Sequence, residues 1–152
     1  MNEECKIFWH TYLQEVGLPT HKDPLEIFCF SENKETADEL AKATISGIKT
    51  GTASLLWEME KQGVGIPQNG DLSLVTYGNG KPACVIETIN VNIIPFNEVS
   101  AEFAATEGET DPSLAYWRKC HWREFAAACE QLGREANETM PVICEEIKVV
   151  YS

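Results

Sequence analysis

The segment from Gly47 to Thr52, Gly-Ile-Lys-Thr-Gly-Thr, carries the side chains best suited to chemistry in this chain. It presents one lysine amine and two hydroxyls on a turn flanked by glycines, where the backbone can approach a ligand closely. Glu107, in the separate segment Thr106-Glu-Gly-Glu109, adds a carboxylate. A cation, a nucleophile-type hydroxyl and a carboxylate are the minimum set for binding a polar ligand and for hydrolysing it.

If the fold brings Lys49, Thr52 and Glu107 together, the three residues can form an amidohydrolase site. A lysine whose pKa is lowered by burial can take the proton of a threonine hydroxyl and so make its oxygen nucleophilic. Glu107 can then pass a proton to the leaving amine or orient a water molecule. The same groups can instead only bind a ligand, with Lys49 on a phosphate or carbonyl and Glu107 on a base amine. The spacing Lys-x-x-Thr alone favours a third alternative, in which the three residues share no role.

His121 lies on the apolar stripe of a predicted helix, a position that favours a hydrogen-bonded core histidine over a catalyst. Arg118, one turn earlier, can pair with Glu107 or Asp111 of the acidic loop and hold Glu107 as a carboxylate. Three tryptophans are expected to pack in the core or at its rim, and one of them could stack on a nucleobase: Trp57, Trp117 and Trp122.

The charge of the chain limits the ligands it can bind. Its 152 residues fit one compact domain. A formal net charge of −12, from 24 acidic and 12 basic residues, should repel a polyanion, so we expect no binding of double-stranded DNA. The basic cluster from Arg118 to Arg123 is either the solvated edge of a helix or a contact for one or two phosphates.

The sequence shows no sign of export, membrane insertion or a cofactor. The N-terminus is acidic, and the purest apolar run, Phe125–Cys129, is far shorter than the roughly 18 residues of a membrane span. We therefore expect a cytoplasmic protein with no membrane partner. The six cysteines show no C-x-x-C spacing, which predicts reduced thiols and no metal site.

The order of the predicted elements indicates the α+β class. Helical periodicity and capping residues predict four helices: Glu3–Val16, Thr36–Gly47 with a capping box at its start and Gly47 as a left-handed C-cap, Phe96–Phe103, and a helix capped by Ser113 that runs to Leu132. Segments rich in Val, Ile and Thr predict strands over Leu72–Tyr77, Ala83–Ile94 and Val142–Tyr151, the first two forming a hairpin. Two segments stay ambiguous: Leu25–Phe30 is a strand or a helical turn, and Thr52–Trp57 is strand-like or transitional.

Several of these segments together resemble the signature of ASCH domains. The residues that carry the resemblance are Gly47–Thr52, Ser54–Glu58, Gly70-Asp71, Pro95–Val99, Phe103-Ala104, Glu107–Glu109 and Ser113–Arg118 with His121. The similarity spans roughly Lys34 to Tyr151. The motif Gly-x-Lys-x-x-Thr is short, but its combination with Ser-Leu-x-Tyr-Trp-Arg is fairly specific.

The resemblance implies a PUA-like fold, a small mixed or antiparallel β-barrel surrounded by helices. Residues 1–152 would then form one ASCH domain, with residues 1–33 as an N-terminal helical extension. ASCH domains are generally proposed to bind RNA, so the expected ligand is RNA or a nucleoside- or nucleotide-sized molecule. A small bacterial branch hydrolyses N4-acetylcytidine with a lysine, a threonine and a glutamate, which correspond by motif to Lys49, Thr52 and Glu107. Other members are described as metal-dependent ribonucleases that use basic residues in the same cleft.

One departure from the family pattern affects the expected function. Many members have a second basic residue just before the lysine, where this chain has Ile48. The lost charge argues against phosphate binding, and so against a nuclease, more than against small-nucleoside chemistry. RNA or nucleotide binding is the first hypothesis and amide hydrolysis the alternative. The candidate ligand-binding residues are Lys49, Thr50, Ser54, Trp57, Ser113, Trp117, Arg118 and His121.

Overall fold

A single curled sheet of five strands forms the frame of the structure, a computed structural model that describes all 152 residues. The strands lie in the spatial order β1-β3-β4-β5-β2. Their bounds are β1 Ile27–Phe28, β2 Gly51–Leu55, β3 Leu72–Thr76, β4 Pro82–Pro95 and β5 Pro141–Tyr151. The helices are α1 Glu3–Val16, α2 Lys34–Ile45, α3 Leu56–Gln62, α4 Ala101–Ala105 and α5 Leu114–Leu132, with a 3-10 turn at Phe96–Glu98. This arrangement confirms the α+β prediction.

All strand pairs are antiparallel except β1 with β3. The predicted hairpin is present as β3 and β4, which pair directly. The long pair β4 and β5 has register irregularities between Val85 and Ile86 and between Thr88 and Asn90. Extra residues of this kind bend a strand and increase its twist, and such bends let β4 and β5 belong to a curled sheet.

The first residues of α5 and α2 show how well capping signals in the sequence predict where a helix begins. Ser113 caps α5 as predicted, because its hydroxyl accepts from the backbone N–H of Tyr116. The predicted start of α2 at Thr36 is wrong: Asn33 is the cap, since its side chain already accepts from the Thr36 N–H and the helix begins at Lys34. Gly47 follows the end of that helix and has the expected positive φ, at 84°.

Two other predicted elements differ from the structure. The single helix expected over Phe96–Phe103 is two short elements, because Val99 is extended and Ser100 caps a new helix. The segment up to Trp57 changes from strand to helix after Leu55, where α3 begins without a side-chain cap. Packing of α3 against α5 and the sheet stabilises this helix. Because the helix has no side-chain cap, the sequence contains no local signal for its start.

Three hydrophobic clusters hold the helices on the sheet. The largest lies under α5 and includes Trp117, Phe125 and Cys129. A second fixes α1 through Trp9 and Leu13, and the third lies under α2. Each fully buried large side chain contributes about 1.5–3 kcal/mol through the hydrophobic effect. The polar residues of α5 are therefore held by a helix with little freedom to move.

All six cysteines are free thiols. None of the helices combines the length and the apolar character that crossing a membrane requires.

Candidate functional site

The turn that carries Lys49 is fixed at both ends by backbone hydrogen bonds. At its start, the amides of Ile48 and Lys49 donate to the Ala43 carbonyl at 2.9 and 3.0 Å. At its end, the amides of Thr50 and Gly51 both donate to the Thr106 carbonyl, at 2.8 and 3.0 Å. Gly51 is required there, because a Cβ at this position would lie 2.0 Å from Thr106 Oγ1. This close approach joins the turn to the end of α4.

Lys49 and Glu107 form a buried ion pair in which both residues keep little exposure, 3% and 5% respectively. Lys49 Nζ donates to the Gly51 carbonyl at 2.7 Å and to the Glu107 carbonyl at 3.2 Å, and lies 3.5 Å from Glu107 Oε1. The ring of Phe30 covers the amine, with its centroid 4.6 Å from Nζ. Gly108, with φ 75°, permits this contact, since a Cβ there would lie 2.8 Å from Lys49 Cβ.

The second carboxylate oxygen of Glu107 is held by two residues of α5. Trp117 Nε1 donates to Oε2, and His121 Nε2 lies 3.1 Å from the same atom. The other ring nitrogen of His121 lies 3.0 Å from the Trp117 carbonyl, and the two rings stack with centroids 4.2 Å apart. Both acceptors require an N–H from the imidazole, so this geometry fits a protonated His121.

Burial and neighbouring charges set the ionisation of these three groups. Burial lowers the pKa of Lys49, although Glu107 opposes the shift. Burial alone would raise the pKa of Glu107, but its contacts with His121, Lys49 and Trp117 outweigh this and lower it to about 2. Burial would lower the pKa of His121, yet the hydrogen bond and charge of Glu107 raise it on balance. Glu107 is therefore a fixed carboxylate at neutral pH and has no proton to give.

Thr52 brings a hydroxyl to the same region. It lies on β2, one residue after the carbonyl that Lys49 contacts, and its exposure is only 8%. No side-chain hydrogen bond within the protein uses this hydroxyl, and the oxygen is not among the atoms fully sealed from solvent. Of the three residues predicted to be catalytic, Lys49 and Glu107 are in direct contact, and Thr52 follows Lys49 by three positions at the start of β2.

Arg118 does not pair with Glu107 or Asp111, so that expectation is wrong. Its side chain is exposed and makes one long contact, 3.4 Å to the Asn97 carbonyl. The residues of α5 that face the sheet recur every four positions and include Trp117 and His121. Arg118 is one position further along, about 100° around the helix, and so points away from the carboxylate.

The remaining predicted ligand-binding residues have structural contacts of their own. Thr50 is exposed, and its carbonyl accepts from the amide of Ile147 at 2.9 Å. Ser54 is half-buried on β2, and the hydroxyl of Ser113 serves as the cap of α5. Trp57 is half-buried, with the Arg134 guanidinium 4.1 Å from its ring centroid. None of these four side chains forms a hydrogen bond or an ion pair with Lys49 or Glu107.

A cleft of about 600 Å³ adjoins the ion pair through Phe30. It lies between the segment after β1, helix α3 and helix α5. Its charged lining is mostly acidic: Glu32, Glu58, Arg123 and Glu124. Sequence reasoning missed Phe30 and these acids, because residues from three elements distant in sequence form one wall and no local pattern connects them.

The curled sheet, the helices that cover it and the lysine turn beside a buried carboxylate together define the class of protein. The family model for the ASCH domain matches residues 26–151, and the chain belongs to the ASCH domain family. This confirms the resemblance seen in the sequence and the PUA-like fold that it implies.

Two solved structures are similar over nearly the whole chain. One is an ASCH domain from Lactobacillus crispatus JV V101, with 36% sequence identity, a TM-score of 0.88, and coverage of 100% of this chain and 97% of that chain. The other is a protein from Enterococcus faecalis V583, with 28% identity, a TM-score of 0.88, and coverage of 99% and 90%. No curated protein matches this chain.

Proposed function

We propose that this ASCH domain binds RNA or a nucleotide-sized ligand derived from it, with one base in the region of Lys49, Thr52 and Glu107. The observation that supports this most is the buried Lys49–Glu107 pair beside a hydroxyl that no protein group uses. The Thr52 hydroxyl has no protein partner and keeps access to solvent, so a ligand can hydrogen-bond it, and the family is generally proposed to bind RNA.

The acidic lining of the cleft favours a small ligand over a long strand. Binding of a long nucleic acid depends on neutralising many phosphates with basic side chains. The cleft instead presents three carboxylates and one guanidinium, on a chain with a net charge of −12. Its volume of about 600 Å³ is within the range of small-molecule sites.

Amide hydrolysis is the second candidate function, and the lowered pKa of Lys49 is the observation that favours it. Burial makes the neutral amine, the form that can take a proton from a hydroxyl, easier to reach for Lys49 than for an ordinary lysine. Thr52 provides that hydroxyl, one residue after the carbonyl that Lys49 contacts. Glu107 holds the lysine in place as a permanent carboxylate.

The proposed reaction on an N-acylated cytidine has two steps. Lys49 takes the Thr52 proton while the threonine oxygen adds to the acyl carbon, and the C–N bond then breaks as Lys49 returns the proton to the leaving amine. Water next adds to the threonine ester, giving up its proton through Lys49, and releases the carboxylic acid and the free hydroxyl. The net change is amide plus water to amine plus acid.

The test uses the wild type and two variants, Thr52→Val and Lys49→Met. Thr52→Val is nearly isosteric and removes a hydroxyl that no protein hydrogen bond uses, so it should fold normally. Exposed positions supply the matched controls, Thr110→Val and Lys42→Met. Each protein is incubated with N4-acetylcytidine, with chromatography for cytidine, and titrated calorimetrically with nucleosides and a short single-stranded RNA at several salt concentrations.

The outcomes separate the two functions. Binding of a nucleoside or RNA without turnover supports the binding function alone. Cytidine released by the wild type and both controls but not by Thr52→Val supports the hydrolase. Shortening of the RNA would indicate the ribonuclease activity described for other family members. If neither binding nor turnover occurs with correctly folded protein, the proposal is wrong.

A further inference from the structure

Glu145 lies directly across the sheet from Thr52. The two residues are paired by register between β5 and β2. Residues directly opposite one another in an antiparallel pair project from the same face, with Cβ atoms about 4.5–5.5 Å apart. Thr52 is 8% exposed and Glu145 is 9% exposed. A carboxyl group therefore lies on the same buried face as the hydroxyl of the proposed site, although nothing in the sequence motifs points to it.

Only part of the hydrogen-bonding capacity of Glu145 is used within the protein. The Thr88 hydroxyl donates to Glu145 Oε1 at 3.1 Å. The other oxygen has no protein partner, and neither has the Thr52 hydroxyl, yet no fully buried side-chain atom in the structure is left unsatisfied. Both free atoms therefore retain some access to solvent. Two adjacent, nearly buried side chains that each present an oxygen to solvent and to no protein group can together hydrogen-bond a polar ligand.

The charges around Glu145 come from several elements. Burial is the main factor that raises its pKa to about 7, and Glu26 beside β1 and Asp71 beside β3 add repulsion. The hydrogen bond from Thr88 on β4 and the positive charge of Lys49 before β2 act in the opposite direction. Glu107, in contrast, has a pKa lowered to about 2. The charge of Lys49 acts on both carboxyl groups, yet the two differ in protonation near neutral pH, as in sites where one carboxyl group donates and the other stays ionised.

Building on the proposed function, we propose that Glu145 is a further ligand-contacting residue, which donates a hydrogen bond from its protonated carboxyl group to an acceptor atom of the ligand held beside Thr52. A carboxylate can only accept hydrogen bonds, whereas a carboxylic acid also donates one. The ligand atom that faces Glu145 is then a carbonyl oxygen or an unprotonated ring nitrogen of a nucleobase. The contact therefore selects nucleobases that carry a hydrogen-bond acceptor opposite Glu145, and it does not require a phosphate group on the ligand.

The contact makes ligand affinity depend on pH in a defined direction. Above the pKa of Glu145 the donor is lost and a negative charge takes its place. If only the protonated form makes the contact, affinity falls by up to about tenfold for each pH unit above about 7.

The test compares Glu145→Gln with Glu146→Gln, a control at an exposed neighbour on the opposite face of β5. The glutamine amide keeps an oxygen for the Thr88 hydroxyl and an N–H donor for the ligand at every pH. Binding of the four common nucleosides is measured by calorimetry between pH 5.5 and 8.5. We expect the affinity of the wild type and of Glu146→Gln to fall above pH 7, while that of Glu145→Gln stays level.

If the wild type binds a nucleoside and Glu145→Gln shows the same alkaline fall, the titration belongs to His121 or Lys49 and the inference about Glu145 is wrong, while the proposed function stands. If the wild type binds none of the nucleosides at any pH, the proposed function fails as well as the contact that rests on it. A merely structural role for Glu145 would change the stability of Glu145→Gln without removing the alkaline fall in its affinity, and that result also overturns the inference.

Discussion

Replacing Glu107 with glutamine should destabilise the protein much more than a surface substitution of the same kind. The change keeps the size of the side chain but removes the negative charge opposite Lys49. Three donors surround this group, from Lys49, Trp117 and His121. A glutamine has one acceptor oxygen and cannot serve all of them. The variant therefore leaves a buried cation without its counterion and at least one donor unsatisfied.

The size of the effect follows from the separation of the two charges and from the cost of deprotonating Lys49. At the 3.5 Å separation of the ion pair and an effective dielectric constant of about 20, Coulomb's law gives about 5 kcal/mol. In the variant, Lys49 can instead become neutral by losing its proton. Relative to the unfolded chain, where the lysine pKa has its ordinary value of 10.5, this deprotonation at pH 7 also costs about 5 kcal/mol. Since breaking a buried pair typically costs about 3–5 kcal/mol, we expect a loss in that range and a Tm lower by roughly 10 °C.

The assay is urea unfolding of Glu107→Gln, Lys49→Met, the double variant and an exposed control, Glu130→Gln. Lys49→Met should cost less than Glu107→Gln, because His121 still compensates the carboxylate. The double variant should recover part of the loss, giving a coupling energy of about 1–3 kcal/mol. Single variants that each lose less than about 1 kcal/mol, with no coupling between them, would refute the view that the two charges depend on each other.

Two further predictions concern the loss of stability at acid pH and the close packing of the lysine turn. Because the pKa of Glu107 is about 2 in the folded protein, against an ordinary value of 4.5, this group should contribute about 3 kcal/mol above pH 4.5 that is lost as pH falls towards 2. The free energies of unfolding of the wild type and of Glu107→Gln, measured by circular dichroism, should converge as the pH falls from 4.5 towards 2. A difference between the two proteins that stays constant over this range would contradict the lowered pKa of Glu107. Gly51→Ala places a Cβ 2.0 Å from Thr106 Oγ1 and should cost about 1–3 kcal/mol through overpacking. Gly65→Ala, with nothing within 4 Å of its Cβ, is the matched control; equal stability of the two variants in urea would show that the close approach is not required.

The elements with strong local signals could be predicted from the sequence. The stripe Trp117, His121 and Phe125 and the cap at Ser113 predicted α5, and the breaker-rich turn after Tyr77 predicted the hairpin. Elements stabilised by tertiary contacts were harder to predict, as α3 shows, because the sequence before it carries no cap and the helix depends on packing against α5. Asn33 was missed as a cap because the Thr36 capping box offered a competing local signal.

The sequence by itself determined the family and the amine, hydroxyl and carboxylate of the candidate site, through the motif around Lys49 and the segment around Glu107. It did not point to Phe30, the acidic lining of the cleft or Glu145. Tertiary structure decided how those groups behave. The partner of Lys49 lies 58 positions away, and the choice of Trp117 and His121 over Arg118 depended on how α5 is rotated against the sheet. Ionisation followed from the same contacts: Glu107 and Glu145 are the same residue type, yet their pKa values are about 2 and about 7. The physical reason is that a pKa depends on burial and on charges brought together by the fold, and neither is encoded in a run of neighbouring residues.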